Sequence, residues 1–137
     1  MARGENPGEL LSIAALQTGA TAIPYDRNVA YGNANGGKDL AISIIETGTN
    51  EGQAQLAADG DRILGKLVEA HPDGTVTYMP VGYPILFRKT AADIVHGQAI
   101  RGGGDGKVKS DTTGAARGRV VKVLEAGDNG RILVLFP

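Results

Sequence analysis

Short apolar alternations separated by glycine-rich turns run through most of the chain. DRILGKLVEA, from Asp61 to Ala70, reads as a strand, and HPDGT, from His71 to Thr75, is a Pro-Asp-Gly turn that needs glycine at positive φ. TVTYMPVGYPILFRK follows as a strand or strand pair, with Pro80 and Pro84 confined to edges, bends or bulges because neither can donate to a ladder. DLAISIIETG, from Asp39 to Gly48, is β-branched and ends at glycine, as a strand should. GRVVKVLEA and RILVLFP close the chain as two strands joined by Gly127, Asp128, Asn129 and Gly130. The five apolar residues Ile132 to Phe136 predict a strand buried on both faces or covered by another element. Helical signals are weak: a turn around Ala54 to Ala58, and Thr90 to His96 as either a short helix capped by Thr90 or a loop.

The most distinctive stretch is DIVHGQAIRGGGDGKVKSD, from Asp93 to Asp111. Apolar residues rise into Gly102, Gly103, Gly104, Asp105 and Gly106, and a Lys-Val-Lys alternation follows. Asp-Gly before an alternating run is a hairpin signal, since both central turn positions must tolerate positive φ. Closely spaced turns with no βαβ pattern predict an all-β (mainly β) fold: a small β-barrel or sandwich with glycine-rich turns and at most one or two short helices.

Residues 1–55 read differently, as an extended N-terminal arm leading into a first strand, with a compact β domain over 56–137. Gly4, Pro7 and Gly8 open this part, and the Gly/Asn-rich YGNANGGKD interrupts it. Between them lie apolar pieces too short to form a core alone. The contact residues this arm offers to a partner or another copy are Leu10, Leu11, Ile13, Leu16, Ile23, Tyr25, Arg27 and Tyr31.

Composition narrows the possibilities. Fourteen Lys and Arg against 15 Asp and Glu leave no excess charge to attract nucleic acid or an anionic membrane non-specifically. The absence of cysteine excludes disulfides, thiolate metal sites and a cysteine nucleophile. The first residues lack the basic-then-apolar layout of a secretory signal, and no run reaches bilayer-spanning length, so cytoplasmic synthesis is expected. Gly60 to Lys66, GDRILGK, fits the G-x-x-x-x-G-K part of a phosphate loop. However, Leu67 stands where Ser or Thr should offer a hydroxyl to magnesium, and no helix pattern follows. The 102–106 run fails too, with Arg101 in place of a first glycine and Val108 after Lys107. His71 and His96 sit beside turns and would need Asp73 or Asp93 folded nearby to hold a metal. Asp59, Asp61, Asp73, Asp105, Asp111 and Asp128 are mostly turn residues. No serine lies in a nucleophile motif, so the expectation is a non-enzyme without cofactor or metal.

Residues 57–137 resemble the small β-domain of tailed-bacteriophage capsid decoration proteins, also called cement or head-stabilisation proteins. The matching positions are Gly60, Asp61 and Gly65 in a G-D-x-x-x-G strand opening, and Gly82 within the next strand. Gly97, Ile100, Gly106, Lys107 and Val108 follow around the hairpin, then Gly118, Val120 and Ala126, with Ile132 to Phe136 as the last strand. The resemblance implies a virion structural protein on the outer capsid surface, assembled in the host cytoplasm. It implies binding to the phage major capsid protein and to itself, as a homotrimer or alternatively a dimer, with no direct nucleic acid or membrane contact. The residues taken alone leave a second class open, a glycan- or small-ligand-binding β-module on the virion surface.

Overall fold

The structure is a computed structural model and describes residues 10–19, 21–23, 39–81, 84–112 and 118–136. It is all-β, and the described residues contain ten strands and no helix. In order these are β1 (Leu11–Ala14), β2 (Ala41–Ile44), β3 (Ala54–Leu56), β4 (Gly65–Ala70), β5 (Thr75–Pro80), β6 (Ile85–Arg88), β7 (Ile100–Gly104), β8 (Lys107–Ser110), β9 (Arg119–Val123) and β10 (Arg131–Leu135).

They form a five-stranded sheet in the order β1-β5-β4-β2-β3, a three-stranded sheet β6-β10-β9 and the hairpin β7-β8. Every strand pair is antiparallel. Among the described residues no sheet closes into a barrel. Isolated bridges nevertheless draw the sheet ends together: Ala15 meets Ala54 beyond β1 and at β3, Lys89 meets Val108 on β8, and Ala99 meets Arg119 on β9.

Two apolar clusters fill the interior. The first gathers Ile23, Leu40, Ile42, Leu56, Leu67, Val76 and Tyr78 around the five-stranded sheet. The second gathers Ile85, Phe87, Ile100, Val108, Val120, Ile132, Val134 and Phe136 from the other two sheets, with the Phe87 and Phe136 rings edge-to-face at 6.1 Å. Strand β2 is the wall between them, because successive side chains point to opposite faces: Ile42 enters the first cluster and Ala41 the second.

Double-faced burial therefore belongs to β2 and not to the C-terminal run where the sequence placed it. In β10 Ile132 and Val134 are buried, while Leu133 is half-buried and Leu135 is 42% exposed. Ala54 to Ala58 begins as strand β3 and not as a helical turn, since pairing of Ile42, Ser43 and Ile44 with Leu56, Gln55 and Ala54 satisfies its backbone. Thr90 to His96 is a loop, tied down at Thr90 by a bond from its N–H to the Val108 carbonyl. The division expected after residue 55 runs through β3, and β1, β2 and β3 pair within one sheet with β4 and β5. The described parts of the expected arm are sheet strands and their connections, because Ile13, Ala15 and Ile23 supply apolar surface to the first cluster.

Candidate contact surfaces

The glycine run folds as the expected hairpin tip. Asp105 and Gly106 both have positive φ, 53° and 81°, as a two-residue type I′ turn demands. The tip is docked, not open. The Gly106 N–H donates to the Ala57 carbonyl and its carbonyl accepts from Ala41, while the Gly102 N–H donates to Asp61 and its carbonyl accepts from Gly60. The Gly102 and Gly106 amides are thus already bonded to carbonyls, and these bonds lash the hairpin to the segment that follows β3. Lys66 of the other phosphate-loop lookalike is 2.8 Å from the Asp39 carboxylate, and Gly65 lies inside β4.

The histidines stay apart from any ligand set. His71 Nε2 lies 2.6 Å from the Thr77 hydroxyl and His96 is exposed. Asp73 accepts from the Thr75 N–H and hydroxyl, the local turn bond that its sequence position suggested, and these bonds hold its carboxyl below the usual value. No three His, Cys, Asp or Glu side chains among the described residues gather as a metal site. The Asp61 Oδ2 accepts from the Ser43 hydroxyl at 2.6 Å, the Gln55 amide at 3.1 Å and the Ala58 N–H at 3.0 Å, so it staples the β3–β4 loop to β2. Beside this staple is an open cleft of about 820 Å³, lined by Ile44, Glu46, Arg62, Ile63, Arg101 and Phe136 among others.

The proposed arm contacts divide into four groups. Leu10 and Leu11 are 46% and 44% exposed at the start of β1. This strand pairs with β5 through Leu11–Tyr78, Ser12–Thr77, Ile13–Val76 and Ala14–Thr75, and within the described residues it is the sheet edge. Ile13 and Leu16 are half-buried. Ile23 is wholly buried, its N–H donating to the Leu16 carbonyl, so it is a core residue and not a contact. Tyr25, Arg27 and Tyr31 lie outside the described residues.

A second surface escaped the sequence reading. Cross-strand partners share a face, and opposite the core the three-stranded sheet sets Leu86 beside Leu133 beside Lys122, Arg88 beside Arg131, and Leu135 beside Arg119. Leu124 and Val121, which flank Lys122 and Val123 in sequence, are 44% and 40% exposed. Glu125 accepts from the Arg131 Nε at 3.0 Å and lies 3.9 Å from Arg88. The Arg131 hydrogen bond is the main reason that its carboxyl sits below the usual value. Leu133 and Leu135 alternate with the buried Ile132 and Val134, so apolar side chains occupy both sides of β10, but the sequence pattern does not tell which side is left open.

No protein-family model matches the sequence, and a search of curated proteins finds no match.

Proposed function

We propose that this chain is a phage virion structural protein that binds the outer surface of the mature capsid and cements neighbouring capsomers. The observation that carries the reading is the pair Leu10 and Leu11, half exposed at the start of an edge strand within the segment expected to make contacts. It adds to the resemblance over residues 57–137. An edge strand presents unpaired backbone groups beside apolar side chains, a combination suited to strand addition by a partner.

The physical logic is multivalent. One such contact is modest, but linked copies on different capsomers convert later contacts into intramolecular ones and raise avidity about 100-fold or more. Binding only to the expanded lattice stabilises that lattice by linkage. Capsid co-sedimentation tests the reading. Docking that buries the remaining half of Leu11 is worth about 1 kcal/mol, and Leu11→Glu adds the cost of desolvating a charge. The variant is expected to bind about tenfold or more weakly with an unchanged melting temperature. Wild-type affinity in the variant would remove β1 from the contact.

A second reading, a glycan- or small-ligand-binding module, draws on the 820 Å³ cleft and its mixed lining of Glu46, Gln55, Arg62 and Ile63. A glycan array separates the two: a cement protein binds expanded capsids and no sugar.

A further inference from the structure

An edge strand is ordinarily blunted by a charge, a proline or a bulge, because its unpaired N–H and C=O groups otherwise recruit another strand. Beyond its shortness, β1 has none of these among the described residues. Its register with β5 runs from Leu11 to Ala14 without a shift, and LLSIAALQ, from Leu10 to Gln17, holds no charged residue and no proline. The β5 residues beside it, Thr75 to Tyr78, are uncharged as well.

The register determines which backbone groups are left open. The Ala15 N–H donates to the Gly74 carbonyl at 2.8 Å, which makes Ala15–Gly74 a hydrogen-bonded pair. Such pairs alternate along an antiparallel ladder. Ile13–Val76 and Leu11–Tyr78 are therefore hydrogen-bonded pairs too, and the backbone groups of Leu10 and Ser12 point away from β5. Past them the edge is taken, since the Leu16 N–H donates to the Ala54 carbonyl on β3. Side chains follow the same alternation. Leu11 lies on the face of Ile13, Val76 and Tyr78, which carries the first apolar cluster, yet it is 44% exposed. That core is open on the side where a strand beyond β1 would lie.

We infer that the strand completing this edge is β1 of a second copy, paired antiparallel about a two-fold axis between the two Leu11 residues. In that register Leu10 of each chain faces Ser12 of the other, so outward N–H groups meet outward carbonyls, and the two Leu11 side chains meet on the core side. A two-fold sets every group against its like, which a charged edge would resist and this uncharged one accepts. The pairing consumes the edge it uses, so assembly stops at two. The pair deepens the capsid reading at the same edge and rests on it only for its consequence: two joined chains offer two capsid-facing surfaces, and cementing needs two. Contact along a few residues falls short of the roughly 1,200 Å² of a stable interface. The pair is accordingly weak in free solution and reinforced on the lattice, where the second foothold is intramolecular.

The test uses the full chain, first in solution. Sedimentation equilibrium should give a mass that rises with concentration from one chain toward two. Leu11→Glu and Ser12→Pro should each weaken that association at least tenfold at unchanged circular-dichroism melting temperature. Ser12→Pro removes an outward N–H and no bond to β5, so it carries the test if Leu11→Glu misfolds. Because the chain has no cysteine, Leu11→Cys places a single thiol beside the axis. Directly opposed residues of a non-hydrogen-bonded pair lie about 4.5 Å apart at Cα, within reach of a disulfide. Copper-phenanthroline oxidation should cross-link Leu11→Cys at least tenfold faster than Val95→Cys, whose position is 58% exposed. A wild-type mass of one chain at the highest soluble concentration, or equal cross-linking at the two positions, overturns the inference. So does a larger oligomer that Leu11→Glu leaves intact. Expanded capsids then separate the two readings. A monomeric wild type whose co-sedimentation with capsids is lost in Leu11→Glu gives the edge to a capsid strand, which overturns the pair and leaves the capsid reading standing. A β1 pair that does not sediment with capsids upholds the inference and overturns the capsid reading alone.

Discussion

Gly102→Ala tests whether the hairpin is structurally welded to the loop before β4. A methyl group at Gly102 would sit well inside contact distance of the Ala58 carbonyl oxygen and 3.3 Å from the Ala57 Cβ, with backbone and not a flexible side chain as the obstacle. Relief requires the hairpin and the 58–61 loop to separate. That movement strains the bonds from the Gly102 N–H to the Asp61 carbonyl at 2.8 Å and from the Gly60 N–H to the Gly102 carbonyl at 2.9 Å. Overpacking costs about 1–3 kcal/mol, and two weakened backbone hydrogen bonds add about 1–3 kcal/mol. Alanine's smaller unfolded-state entropy returns about 0.4–1 kcal/mol. The balance is a loss of roughly 1–5.5 kcal/mol, up to a large share of a domain's stability. Urea unfolding of Gly102→Ala beside Gly48→Ala measures it. Gly48 has φ of 96° and open space around it, so its replacement incurs backbone strain alone, about 1–2 kcal/mol. A loss at Gly102 no larger than that at Gly48 would refute the close-approach argument.

Two further outcomes are expected. Lys89 is 1% exposed, and its Nζ donates to the Thr90 carbonyl at 2.8 Å and the Gly127 carbonyl at 3.0 Å. Lys89→Met removes two charge-assisted bonds worth about 1.5–3 kcal/mol each, partly offset by no longer burying a charge. A net loss of about 1–3 kcal/mol with faster amide exchange at Asn129 and Gly130 is expected, and a variant as stable as wild type would contradict it. Acid should destabilise the fold. Hydrogen bonds to Lys109, Thr75, Arg131 and Lys107 lower the carboxyl groups of Asp59, Asp73, Glu125 and Asp128 from ordinary values of 3.8 for Asp and 4.5 for Glu. With folded values depressed, the unfolded chain binds more protons in that window. The contribution is therefore complete above the ordinary values and is lost as pH falls through the lower, folded ones. Melting temperatures should begin to drop below about pH 5, whereas a main loss between pH 8 and 6 would point to other groups.

The fold was legible where local chemistry determines it. Asp105-Gly106 and the Gly74 turn need positive φ whatever surrounds them, and the alternations in β4, β8 and β9 mark strands by period. Non-local pairing was not legible. Ala41 and Ala57 look unremarkable in sequence, yet they meet the hairpin tip through Gly106, which no local pattern announces. Ile23 read as a contact because its short segment could not make a core alone, and it is buried because β3 and β4 bring the rest of that core to it. The Leu133 and Leu135 face was hidden by a run of five apolar residues, which looks the same whether its second side is buried or left for a partner.

The most direct test of the capsid reading is the temperature at which DNA-filled heads lacking this protein release their DNA, measured by dye fluorescence with and without a saturating amount of the purified chain. The release temperature is expected to rise, to saturate with bound protein, and to rise less with Leu11→Glu. Heads that open at the same temperature with the protein present at saturation would contradict it.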